Sequence, residues 1–231
     1  MGTINLVRHG QASFGAANYD QLSPLGMEQT RLLGAWQRDC GLPLSKVMIG
    51  PARRHAQSAE HFQSGAGLAH KALLIPELNE FDHEEVLYRL RPDFEDKAAI
   101  AAYLASSSNP RRAYQDLFVQ AVDRWLSGRH DADYKESWIG FQQRCRLGLQ
   151  RIIELAGPSQ DVWVFTSGGP ITAISQHLLN IPDQDAFNLN WSLVNAGVTR
   201  LLYTGNRVSL STFNNHAHLE HHRRADLVTY R

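Results

Sequence analysis

Lysine is scarce in this sequence, with 4 residues against 19 arginines, and cysteine is rarer, with only Cys40 and Cys145. Two cysteines make no disulfide framework, and neither lies in a CxxC or other metal-ligand spacing. Excess charge of either sign is also missing. Lys plus Arg and Asp plus Glu each total 23, so the formal net charge is zero with His neutral. That balance argues against a general nucleic-acid binder and against a cationic surface protein, while leaving room for a local basic pocket. Long hydrophobic runs are absent. Stretches such as Val162-Trp-Val-Phe165 fall far short of the ~18 residues of a membrane span. No signal-peptide pattern precedes the first strand-like segment, and Leu6 stands where myristoylation needs Ser or Thr. The expectation is a soluble, cytoplasmic protein with no nucleic-acid and no membrane partner.

What is present is a chain of 231 residues, 43% apolar, long enough to bury a core without staples. Thr3–Val7, Lys46–Ile49, Leu73–Pro76 and Asp161–Phe165 read as short buried strands. Asn195–Tyr203 and Val208–Phe213 read as two more, around Gly205-Asn206. A helix starts at Ser23-Pro24, with Ser23 as N-cap and Pro24 in the first turn. Others are expected over about 53–63, across most of 84–157, and from Gly168 to about Leu179. Alternating strands and helices predict an α/β fold, a three-layer, mostly parallel sheet with helices on both faces. The helical stretch of about 84–140 is read as a cap insertion within a single domain, 1–231. The five Trp and the edge strands are compatible with a homodimer.

Parallel sheets bind ligands beyond the carboxyl ends of their strands, so the residues there are the candidates. Val7 is followed by Arg8, His9 and Gly10, Ile49 by Arg53 and Arg54 at a helix start, and Ile75 by Glu77 and Glu80. A fixed positive charge beside an imidazole disfavours its protonated form. Gly10 permits close backbone approach to a ligand, and a helix start with arginines is an anion site. One His, two Arg and one Glu at one sheet edge can bind a phosphate, attack it and protonate its leaving group.

These residues resemble the signatures of the histidine phosphatase superfamily, the phosphoglycerate-mutase-like proteins. Leu6-Val-Arg8-His9-Gly10-Gln11 resembles the family's nucleophile motif. Leu22-Ser-Pro-Leu-Gly26 resembles its first helix entry, and Gly50-Pro-Ala-Arg-Arg54-His-Ala-Gln57-Ser-Ala59 its second arginine motif, which usually begins Ser-Pro. Leu78-Asn-Glu80 matches the proton-donor segment. The resemblance implies a phosphoglycerate-mutase-like fold and a metal-independent phosphatase with no cofactor, acting on a small phosphorylated substrate or inorganic phosphate. It implies His9 as phospho-accepting nucleophile, Glu80 as proton donor, and Arg8 and Arg54 as phosphate clamps, with Arg53 a flanking residue.

The sequence departs from that pattern at Thr166-Ser167-Gly168-Gly169, where the family carries a second histidine. Ser167 brings a hydroxyl and no charge. Losing a preorganised donor of this kind costs ~3–4 kcal/mol of barrier, which predicts slow turnover. Ser167 and Gly168 are assigned to phosphate, the latter through the free amides of a helix start. A histidine from 216–222 is one candidate to fill the place, and Ser167→His is expected to restore rate if a cation is missing. Ser13 and Asn18 are candidates near the phosphate. His218 and His222 have helical metal spacing without a supporting carboxylate or cysteine framework. Two alternatives stand beside the phosphatase. One is a catalytically weakened relative that binds a phosphorylated ligand or a protein. The other, less favoured, is a mutase, which needs a long basic closed pocket, whereas 84–140 mixes arginines with many acids.

Overall fold

The apolar runs become the centre of a six-stranded sheet in a computed structural model that describes residues 1–13 and 20–230. In chain order the elements are β1 (Gly2–Arg8), α1 (Pro24–Asp39), β2 (Lys46–Ile49), α2 (Arg53–Ala66) and β3 (Leu73–Leu74). There follow α3 (His83–Leu90), α4 (Lys97–Ala105), α5 (Pro110–Leu126), α6 (Trp138–Ala156), β4 (Asp161–Thr166) and α7 (Gly168–Leu179). The chain continues with α8 (Ala186–Ser192), β5 (Val198–Thr204), β6 (Arg207–Asn215) and α9 (Ala217–Glu220). The sheet order is β3-β2-β4-β1-β5-β6. Pairing is parallel across β3, β2, β4 and β1, and antiparallel from β1 to β5 and β5 to β6. The sheet is therefore mixed: the last two strands form a hairpin, which needs only a tight turn, whereas parallel neighbours need crossovers.

Strand alternation divides the buried side chains between two faces. Val7, Val47, Trp163 and Phe165 join Leu33 of α1 and Ala59 and Phe62 of α2 in one cluster. Phe62 stacks on Trp163 with ring centroids 4.8 Å apart. Ile4, Leu6, Met48, Val162 and Val164 alternate with these and are fully buried as well, and α7 packs beside β1 and β6. Strands buried on both faces need near-continuous apolar sequence, which is why these runs were readable. α1 starts as expected: Ser23 Oγ accepts from the Gly26 amide at 3.1 Å, and Pro24 is the first helical residue. β3 is shorter than expected, because Pro76 opens a 3-10 turn, Pro76–Leu78, and has no N–H to offer a ladder.

The chain forms two compact units. The first holds Met1–Glu80, Arg144–Ile181 and Asp185–Arg231, with the sheet; the second holds Phe81–Gln143 and Pro182–Gln184. The second unit is helical and has an aromatic centre. Phe81 and Trp125 lie 5.0 Å apart, and Trp125 and Trp138 meet edge-on at 5.1 Å. Both indoles are satisfied, Trp125 Nε1 by Glu136 O at 2.9 Å and Trp138 Nε1 by Asp183 Oδ1 at 2.7 Å. Among the described residues no helix is long and apolar enough to cross a membrane.

Candidate active site

Register brings the loops after three strands to one level. Arg8 pairs with Thr166 and Ile49 with Phe165, so His9, Gly50 and Ser167 all leave the sheet together. His9 N donates to Thr166 O at 2.8 Å and Gly50 N to Phe165 O at 2.9 Å. The edge is thus built by backbone bonds before any side chain is considered.

His9 is buried, and its Nδ1 lies 2.7 Å from Gly10 O. A carbonyl only accepts, so Nδ1 carries the proton and Nε2 keeps its lone pair. Burial pushes the imidazole well below its ordinary pKa, and the charges of Arg54 and Arg8 and the neighbouring His55 add to that, against the Gly10 carbonyl. A neutral ring with an unprotonated Nε2 is the form a nucleophile needs. Gly10 also answers to packing. A Cβ there would come within 2.2 Å of Gly26 O, so it is the packing of α1 that demands glycine.

Arg54 sits in the first turn of α2, most of its side chain buried. Its Nη1 donates to Asp20 Oδ1 at 2.8 Å and its Nη2 to Ser167 Oγ at 3.3 Å. Asp20 also accepts from the Arg53 amide at 2.9 Å, so the anion at the start of α2 is the protein's own carboxylate. Arg53 is exposed. Arg54 O accepts from Ser58 Oγ at 2.7 Å, and Ser58 Oγ in turn accepts from the Gly10 amide at 3.1 Å, linking α2 to the His9 turn. Arg8 places its charge near His9 while its Nη1 donates to two carbonyls, Leu193 O and, at 2.7 Å, Tyr230 O.

Ser167 occupies the N-cap of α7 but makes no capping bond; its fully buried hydroxyl turns instead to Arg54 and to His55 Nε2, 2.7 Å away. Glu80 is half-buried, and its Oε2 accepts from the Gly169 amide at 3.3 Å. Its segment is tied to the end of β4 by Thr166 Oγ1 donating to Leu78 O at 2.8 Å. Ser13 donates its hydroxyl to Leu22 O at 3.0 Å, and Asn18 lies outside the described residues.

Two participants escaped sequence reasoning. Asp20 carries no local signal. His55 had one, since it directly follows Arg54, but its contact with Ser167 spans 112 positions. The His55 and His9 rings lie 5.9 Å apart. Burial, then the Arg54 charge, pushes His55 down to about 3, with the Gly50 backbone opposing. The imidazole beside Ser167 thus comes from α2, while His218 is buried in α9 next to Leu219. Among the described residues no group of three or more His, Cys, Asp or Glu side chains is placed to hold a metal ion.

A family model described as the histidine phosphatase superfamily (branch 1) matches residues 4–216. No curated protein matches the chain. Among solved structures, phosphoglycerate mutase from Bacillus anthracis superposes with a TM-score of 0.65 at 16% identity, covering 96% of this chain and 96% of that one. A phosphoserine phosphatase mutant from Entamoeba histolytica, solved with phosphoserine, gives 0.62 at 17% identity, with 95% and 100% covered. A mycobacterial glucosyl-3-phosphoglycerate phosphatase gives 0.58 at 20% identity, with 92% and 98% covered. At these identities the superpositions establish the fold.

Proposed function

The chain belongs to the histidine phosphatase superfamily, and from that premise we propose that it hydrolyses a small phosphate monoester through a phosphohistidine on His9. His9 Nε2 attacks phosphorus as the bond to the leaving oxygen breaks. Glu80, entering as the carboxylic acid, gives that oxygen its proton. Water then attacks phosphorus, the Glu80 carboxylate takes a proton from it, and the P–N bond breaks with its electrons returning to Nε2. Arg54 and Arg8 balance the charge on the phosphoryl oxygens, so positioning and electrostatics carry most of the rate. With guanidinium groups in that role, the proposal includes no metal. The Gly168 amide, at the start of α7, completes the phosphate cradle, and Ser167 serves it through the Arg54 guanidinium that it meets at 3.3 Å.

The observation that carries this reading is the His9 tautomer: a buried, neutral ring whose Nδ1 is held by the Gly10 carbonyl. The whole chain is read as one such domain, cytoplasmic, with 84–140 as its helical insertion. Phosphate assays in solution give the test. Incubation with an aryl phosphate is expected to leave acid-labile phosphate on His9, and His9→Ala is expected to lose at least ~10³ in kcat. Unchanged turnover in that variant removes the phosphatase reading.

A further inference from the structure

His55 is a buried group that the reaction above does not use. Its ring is wedged between the Gly50 backbone and the Ser167 side chain. On one side a Cβ at Gly50 would come within 2.5 Å of Nδ1. On the other, Nε2 lies 2.7 Å from Ser167 Oγ. The same oxygen meets Arg54 Nη2 at 3.3 Å. A guanidinium only donates, so Ser167 Oγ accepts from Arg54, and its single proton is available to His55. That direction needs a neutral imidazole protonated on Nδ1; burial and the Arg54 charge keep the ring neutral, and the Gly50 backbone beside Nδ1 raises its pKa as an acceptor does. The bonds therefore run in one sense, from Arg54 N–H to Oγ and from Oγ–H to Nε2. With Asp20 holding Nη1 at 2.8 Å, the guanidinium is gripped at two points, one half-exposed and one buried.

We propose that His55 is a positioning residue: acting through Ser167, it fixes the Arg54 guanidinium in the orientation that clamps the phosphoryl group. The proposal rests on the phosphatase reading of this site and adds a residue to it. Several observations converge. Ser167 stands at an N-cap, where serine ordinarily bonds an amide of the first turn, yet its hydroxyl is diverted to this chain. Gly50 leaves the space the ring needs, and a Cβ there would also come within 2.7 Å of Leu78 O. Gly50 and Ser167 are two of the places where the sequence departs from the family pattern, and His55 lies between them. Positions 50, 55 and 167 thus form one packing unit.

A double-mutant cycle on the full chain tests this, with His55→Leu and Ser167→Ala as its arms. It is read twice: as affinity for inorganic phosphate by calorimetry, and as kcat and KM for an aryl phosphate. Each single variant is expected to weaken phosphate and raise KM about tenfold, and the double variant is expected to be no worse than either. His55→Gln, whose amide oxygen can take the Ser167 proton, is expected to return within about threefold of the wild type. In an Arg54→Ala background, His55→Leu is expected to add nothing. Losses that multiply in the double variant, or unchanged phosphate affinity in the singles, overturn the proposal. Ser167→Ala deletes one oxygen and keeps the test decisive if His55→Leu does not fold: unchanged affinity there is sufficient to overturn it. A wild type that binds phosphate but does not turn over the aryl ester removes the phosphatase reading, while the phosphate arm still decides the role of His55.

Discussion

Two imidazoles in the first unit are both buried and differ in their company. His55, at the carboxyl edge of the sheet, and His218, in α9, are both pushed down to about 3, in each case mainly by burial. The secondary causes diverge. His55 answers to the Arg54 charge and pairs with Ser167. His218 answers to His216 and His222, and its Nε2 has no hydrogen-bond partner among the described residues. A depressed pKa therefore marks both a site and a packing position; the partner tells them apart.

The sharpest way to break this contrast is to remove the charge that only one of the two imidazoles feels. Arg54→Ala is expected to lower kcat/KM for an aryl phosphate by about 10²–10³, whereas His218→Gln is expected to leave it within about twofold. Comparable losses in steady-state assays would mean that the α9 region reaches the chemistry. A smaller effect is expected at Gly50→Ala. Its methyl group must displace the His55 ring or the Leu78 carbonyl, which costs about 1–3 kcal/mol of overpacking in chemical denaturation. The corresponding change around α9, Ala217→Gly, should leave KM untouched.

A further effect is shared by both regions and concerns acid. Each ring has a folded pKa near 3 against about 6.5 unfolded. The unfolded chain therefore binds more protons below about pH 6.5. Their contribution to stability is complete above that pH and is lost as pH falls toward 3. Urea midpoints are expected to drop across that window, and His218→Gln to flatten the drop without altering turnover at neutral pH. An equal slope in the variant would show that this ring titrates normally.

The parts of the fold that local pattern controls were legible. β1, β2 and β4 are buried on both faces and announce themselves as apolar runs, and Ser23-Pro24 announces α1. Where long-range bonds decide, the sequence was silent. β5 begins at Val198 and not at Asn195, because the Asn195 amide goes to Thr229 O at 2.8 Å and Ala196 is left-handed, with φ 59°. α8 was not expected, its segment Ala186–Ser192 being rich in asparagine and short of apolar period. In the site, His9 and Arg54 stand in contiguous motifs. Asp20 and His55 act through partners dozens of positions away, which no local period records.

The underside of the His9 turn is held by the far end of the chain. Asn195 Nδ2 donates to His9 O, Thr229 Oγ1 donates to Asn195 Oδ1, and Gln29 Nε2 reaches both Leu227 O and Thr229 Oγ1. Tyr230 O receives Arg8. During synthesis, the residues around position 9 leave the ribosome long before those around 229. The cradle of the proposed nucleophile therefore closes only after residues 227–230 have emerged, and a nascent chain stalled before residue 227 would carry His9 on a turn still lacking its floor.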